Sequence, residues 1–115
     1  MNILICDDDD GVRDMAREIL QDQGYTVECV RNGQEAIGRI INAPETYRVL
    51  LLDWYMPVMD GAAVIEWLNT SPAWRTSVIV MTASPDELRV PHAILRKPFD
   101  INRLLSMLEI EAAVA

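Results

Sequence analysis

Apolar residues along this chain come in two rhythms. NILIC (residues 2–6), VLLLD (49–53) and the VIVMT that ends at residue 82 each carry four apolar residues in a row, the pattern of strands buried on both faces. TVECV (26–30) alternates instead, as an edge strand does. Between these runs the spacing lengthens to the helical period. Val12, Met15, Ala16, Ile19 and Leu20 form one stripe, and Ala36, Ile37, Ile40 and Ile41 a shorter second. Val64, Ile65 and Leu68 make a third, and Ile101, Leu104, Leu105 and Leu108 a last. Asn32 and Glu35 spell a capping box, Asp100 stands where it caps the final helix, and NAPET and NTSPAW break the chain before the third and fourth strands. With a fifth strand starting at Ala93, strand and helix alternate five times. That alternation predicts a parallel sheet with helices on both faces and a ligand site at the carboxyl ends of its strands. Those ends carry Asp7, Asp8, Asp53, Thr82 and Lys97.

One crossover is too short for the pattern. Ten residues, ASPDELRVPH, separate Thr82 from Ala93, where a whole crossover with its helix needs about 10 to 12. Ser84, Pro85 and Glu87 spell a helix start, but Pro91 disfavours helical geometry at Val90. A single turn or an irregular loop within residues 85–89 is expected.

Composition narrows the function classes. The 115 residues suit one domain, 1–115, with a real core. A net charge of -8 with scattered Lys and Arg excludes a nucleic-acid surface, which needs clustered cations. No run approaches the roughly 18 apolar residues of a membrane span, and MNILIC lacks the features of a secretory signal, so a cytoplasmic location is expected. Cys6 and Cys29 then read as small, reduced apolar residues, and His92 as a solvated loop residue.

The chemistry concentrates in ILICDDDDGVR, where four carboxylates follow an apolar run. Two unit charges about 4 Å apart repel by roughly 4 kcal/mol at an effective dielectric near 20, so adjacent aspartates at a strand end need solvent, protonation or a cation. The run alone fits a solvated acidic face, a phosphatase nucleophile or a metal cup. Asp9 and Asp10 read as solvated first-turn acids that favour the positive end of the first helix.

DWYMPVMDG, opening at Asp53, decides among these readings. DxxMPxMDG after an apolar strand resembles the phosphoacceptor loop of the receiver domain of two-component response regulators, of the stand-alone chemotaxis-regulator type. The Asp7 and Asp8 pair, Arg13, Thr82 followed by Ala83, and the Lys97, Pro98, Phe99 triplet also stand where that family's pattern puts them. The resemblance implies a flavodoxin-like, doubly wound α/β fold with a five-stranded parallel sheet in the order 2-1-3-4-5, here with the family's fourth helix shortened or lost. It implies a phosphorylation-dependent signalling switch, not an enzyme on external substrates. Asp53 would take a phosphoryl group from a histidine kinase or phosphotransfer protein, and the domain would then signal by binding an unknown downstream protein. Mg²⁺ would be the cofactor, held by Asp8 and Asp53 directly, by Asp7 through water and by the backbone carbonyl of Tyr55. Lys97 would pair with the phosphoryl oxygens, Thr82 would turn its hydroxyl toward them, and the Lys97–Pro98 bond would be cis. Helix one, near Val12, Met15 and Ala16, would receive the donor.

Two rivals remain in view. Asp8, Asp10, Gly11 and Val12 spell DxDGV, similar to the first motif of haloacid-dehalogenase-type phosphatases, but that reading leaves DWYMPVMDG without a role. A phosphorylation-independent receiver used only for binding is the other. Departures from the family pattern concern output: Ile94 replaces the aromatic residue three positions before the lysine. Asp60 and Gly61 are expected to shape the turn into the third helix, with glycine supplying a positive φ.

Overall fold

The computed structural model describes residues 2–43, 46–71 and 76–113. The breaks read at NAPET and NTSPAW lie partly outside them. Five strands and four helices follow in the order β1 (Asn2–Cys6), α1 (Asp10–Asp22), β2 (Thr26–Val30), α2 (Gly33–Asn42), β3 (Val49–Asp53), α3 (Gly61–Asn69), β4 (Ser77–Thr82), β5 (Ala93–Arg96) and α4 (Ile101–Ala113). All pairings are parallel, and the sheet order is β2-β1-β3-β4-β5, the doubly wound arrangement expected from the resemblance.

The apolar runs are unbroken because both faces of each central strand are covered. Leu4, Cys6, Leu50, Leu52, Val78 and Val80 point to one face and pack with Ala36 and Ile40 of α2 and with Val64 and Leu68 of α3. Their neighbours Ile3, Ile5, Leu51, Ile79, Met81 and Leu95 point to the other face, against Ala16 and Leu20 of α1 and Leu104 and Leu108 of α4. Cys6 and Cys29 are both free; Cys6 is buried on the α2/α3 face, and Cys29 is half-buried beside the opposite layer. The helix starts follow the sequence: Asn32 accepts from the Glu35 N–H at 3.0 Å, and Asp100 from the Asn102 N–H at 2.8 Å.

Two positions differ from the reading of the α1 stripe. Met15, read as part of the apolar stripe, is exposed, and Arg13, outside the stripe, is buried. His92 is half-buried rather than solvated, and burial lowers its pKa. Among the described residues no helix is long and apolar enough to cross a membrane.

The β4–β5 crossover carries no α-helix. A single 3₁₀ turn, Pro85–Glu87, stands in its place, and the chain then extends toward β5. Ten residues suffice because β5 is short: Ala93 pairs with Ile79 and Arg96 with Thr82, so the chain retraces only about 10 Å at roughly 3.3 Å per residue. Leu88 and Val90, both half-buried, pack against the α2/α3 face of the core in the missing helix's stead. Two side chains do the covering that a helix stripe would do. Replacing both with serine should lower unfolding stability by about 2 kcal/mol, since each aliphatic side chain is only partly buried; urea denaturation measures it.

Candidate functional site

Parallel strands end on one side of the sheet, and the chain leaves β1 through α1 over one face and β3 through α3 over the other, so a crevice opens where β1 and β3 terminate. Asp7 and Asp8 follow β1, Asp53 closes β3, Thr82 closes β4 and Lys97 follows β5. Single carboxylate oxygens of Asp7, Asp8 and Asp53 lie within 4.8 Å of one another. Lys97 Nζ bridges two of them, 2.5 Å from Asp7 and 3.3 Å from Asp53.

Each of the four consecutive aspartates meets a different fate. Asp7 is fully buried and fully engaged: one carboxylate oxygen accepts from the Asp9 N–H at 3.0 Å, the other from Lys97, and its own N–H donates to the Val30 carbonyl. Asp9 is the N-cap of α1, accepting from the Val12 N–H at 3.1 Å. Asp10 alone lies in the first helical turn and pairs with Arg13. Asp8 is exposed, close to Asp53, and has no cationic partner among the described residues. Asp9 thus caps the helix, where the sequence put it in the first turn.

Burial and the charge of Asp7 raise the pKa of Asp53 to about 7, against the pull of Lys97. Burial works to lower the Lys97 pKa, but its hydrogen bond to Asp7 and the nearby Asp53 charge outweigh it, and the pKa is raised. Three carboxylates against one ammonium leave a deficit of two charges at the strand ends. The donors are hard oxygens, one of the three acids is open to solvent, and the deficit is that of one divalent cation, so the residues fit a Mg²⁺ site. Asp7, with both carboxylate oxygens already accepting, is suited to contact through water. The Tyr55 carbonyl accepts no hydrogen bond among the described residues, and the Tyr55 side chain is exposed.

Thr82 is buried beside this group, one residue past Met81, the register partner of Asp53. Its hydroxyl accepts from the Ser84 N–H at 3.1 Å, and its carbonyl from the Lys97 N–H at 2.8 Å. Thr82 thereby anchors both the β4–β5 loop and the Lys97 loop. The Lys97–Pro98 peptide is cis.

The loop after Asp53 is held on all sides. A Cβ on Gly61 would meet the Asp53 carbonyl at 2.9 Å, and one on Gly33 the Met59 carbonyl at 2.7 Å, so both glycines serve close approach. Gly61 does not supply the positive φ expected of it. That φ belongs to Val58, at 69°, inside a three-residue turn closed by Met59 N–H donating to the Pro57 carbonyl at 2.7 Å. A β-branched residue there is strained. Asp60 caps α3 through the Ala63 N–H at 2.9 Å. Sequence reasoning missed the Gly33 contact, whose signal was a glycine directly after the Asn32 cap, and gave Arg13 a place in the family pattern without a contact. Beside the site, Asp9, Val12, Met15, Lys97, Pro98 and Phe99 line a cavity of about 420 Å³.

Residues 3–109 match the family model for the response regulator receiver domain, and the chain belongs to that family. It is a receiver domain of two-component response regulators, a class of signalling switches. The transcriptional regulatory protein CrdR of Helicobacter pylori is 31% identical over 109 residues, which cover 89% of this chain and 50% of CrdR. The regulatory protein AtoC of Escherichia coli is 33% identical over 109 residues, covering 89% of this chain and 23% of AtoC. The chain thus spans half or less of the length of these relatives. Among solved structures, the chemotaxis response regulator CheY4 of Vibrio cholerae is 30% identical with a TM-score of 0.86, covering 96% of this chain and 97% of that one. The receiver domain from the hybrid histidine kinase CckA is 26% identical with a TM-score of 0.81, over 96% and 98% of the two chains.

Between pH 4 and 7 the native Asp53 carboxyl binds a proton that an unfolded aspartate has released, so stability falls as pH rises through that window. In chelator-treated protein, Asp53→Asn should therefore raise stability by on the order of 3 kcal/mol above pH 8 and by little at pH 4, as urea unfolding at the two pH values will show. Val58→Gly should stabilise the protein by about 1 kcal/mol, because glycine has no Cβ to strain at a positive φ; a lower thermal midpoint would refute the strain.

Proposed function

We propose that residues 1–115 form one cytoplasmic receiver domain that accepts a phosphoryl group on Asp53 from a histidine kinase or phosphotransfer protein and signals by binding another protein. The observation that carries this reading is Asp8, without a cationic partner among the described residues, beside a buried, crowded Asp53 that shares Lys97 with Asp7.

Asp53 is the nucleophile: a carboxylate oxygen attacks phosphorus, the bond to the donor breaks, and an acyl phosphate remains on the side chain. Asp8, Asp53 and the Tyr55 carbonyl would hold Mg²⁺ directly and Asp7 through water. The ion would supply the charge neutralisation that phosphoryl transfer chiefly needs. Lys97, held between Asp7 and Asp53 at the mouth of the site, is positioned to pair with oxygens of the arriving group. The Thr82 hydroxyl, which accepts from Ser84 N–H, has its own proton free to donate to them. Donor docking on α1 is supported by the cavity at Val12, Met15 and Phe99, which opens beside Lys97, and by the exposure of Met15 at 44%. For output, Ile94 is half-buried in the family's aromatic position and a 3₁₀ turn replaces the fourth helix. The signal then leaves through the loop at 83–92 and the face of α4.

The phosphatase alternative needs Asp10 as a general acid, and Asp10 is instead 83% exposed at its side chain and paired with Arg13. A small phosphodonor with Mg²⁺ separates the readings. Wild-type protein should become labelled and Asp53→Asn should not, with amide-exchange changes at residues 83–92 after labelling. Sustained turnover of phosphate esters that survives Asp53→Asn but not Asp8→Asn would establish the phosphatase; no labelling and no turnover would leave a binding module.

A further inference from the structure

We propose that Arg13 is a positioning residue for the acceptor site, fixing the peptide that joins Asp7 to Asp8 and so aiming the Asp8 carboxylate at Asp53. The inference rests on the phosphoryl-acceptor reading and adds to it a residue outside the acidic cluster. Arg13 is buried in the first turns of α1, and its guanidinium donates to the Asp7 carbonyl at 2.6 Å while also pairing with Asp10. The carbonyl it grips shares one rigid plane with the Asp8 N–H, so holding that oxygen fixes the peptide plane from which Asp8 departs.

Asp8 needs such support because, among the described residues, its side chain meets only the Asp7 and Asp53 carboxylates and no cation or backbone N–H. Asp7 is held by Lys97 and the Asp9 N–H, and Asp53 is the last residue of a buried strand. Asp8 follows β1, is exposed, and has no cation against it among the described residues, yet it sits within 4.8 Å of the other two acids. The β1–β2 ladder offers no substitute grip: its last register pair is Cys6 with Val30, and Asp7 contributes only its N–H to the Val30 carbonyl. The guanidinium fork reaches the carbonyl and the exposed Asp10 together, tying the start of α1 to the end of β1 across the acidic run.

Charge alone makes the opposite prediction. Removing a cation from beside a group of acids should tighten their hold on a dication, whereas removing a positioning residue should loosen it by about tenfold, as loss of second-layer support does elsewhere. Calorimetric titration with Mg²⁺ on folded wild type, Arg13→Met and Arg13→Lys decides between them. We expect Arg13→Met to weaken Mg²⁺ binding about tenfold, Arg13→Lys to lie between it and wild type, and amide exchange at Asp8 and Asp9 to quicken in both variants without metal. Unchanged or tighter binding by Arg13→Met overturns the inference; if that variant does not fold, Arg13→Lys binding equal to wild type overturns it. Wild type that neither binds Mg²⁺ nor becomes labelled would instead overturn the acceptor reading itself.

Discussion

Three carboxylates share one strand-end crevice, and the cost of keeping them there governs much of the surrounding structure. Their oxygens lie within 4.8 Å of one another while Asp7 and Asp53 are buried, a spacing at which like charges repel by several kcal/mol in a protein environment. The chain answers locally and unequally. Lys97 comes from a loop 90 residues away to neutralise Asp7, the α1 N-terminus uses Asp9, Arg13 takes Asp10, and Asp53 shifts its proton affinity upward. What is left is concentrated on Asp8 and Asp53. A site that neutralised every acid would have no use for a cation or for a phosphoryl group; this one leaves a defined deficit.

Keeping such a deficit in place requires a rigid frame, and the frame explains features that the sheet alone would not need. Gly33 and Gly61 let α2 and α3 approach the loop after Asp53 to distances that exclude a side chain. Met59 accepts from Gly33, Trp54 donates to the Met81 carbonyl and accepts from Gly61, and Val58 is held in a conformation that its branched side chain disfavours. Around β1, Asp7 has its N–H, its carbonyl and both carboxylate oxygens engaged. Strain and fixed hydrogen bonds thus collect beside the same carboxylates, in keeping with a site that holds its charges before any ligand arrives.

The legible part of this molecule is the part that repeats. VLLLD and its companions announce a sheet covered on both faces, because alternate residues of a doubly covered strand have no polar side to show. DWYMPVMDG and the strand-end acids were readable because chemistry had concentrated them in short, unusual stretches. Position 58 was not, since nothing in the spelling MPVMDG says that valine rather than glycine takes the positive φ. The burial of Arg13 lay outside the apolar stripe because its partner is the Asp7 carbonyl, a backbone group invisible to hydropathy.

The shortened crossover was legible in its length and prolines, and its consequence follows from Thr82. In a sheet whose fourth helix is present, the β4 end is buttressed by that helix. Here the 3₁₀ turn and two half-buried side chains cover the same ground, and the most direct ties at the β4 end are the hydrogen bonds of one residue. The Thr82 hydroxyl holds Ser84, at the head of the 83–92 loop, and its carbonyl holds Lys97. Only a swing of the whole side chain that carries the Thr82 oxygen away from the Ser84 N–H would break the first bond, and it would keep the second, because the backbone carbonyl stays with the strand. The loop, with Leu88 and Val90 its packed apolar side chains among the described residues, then has little to hold it in place.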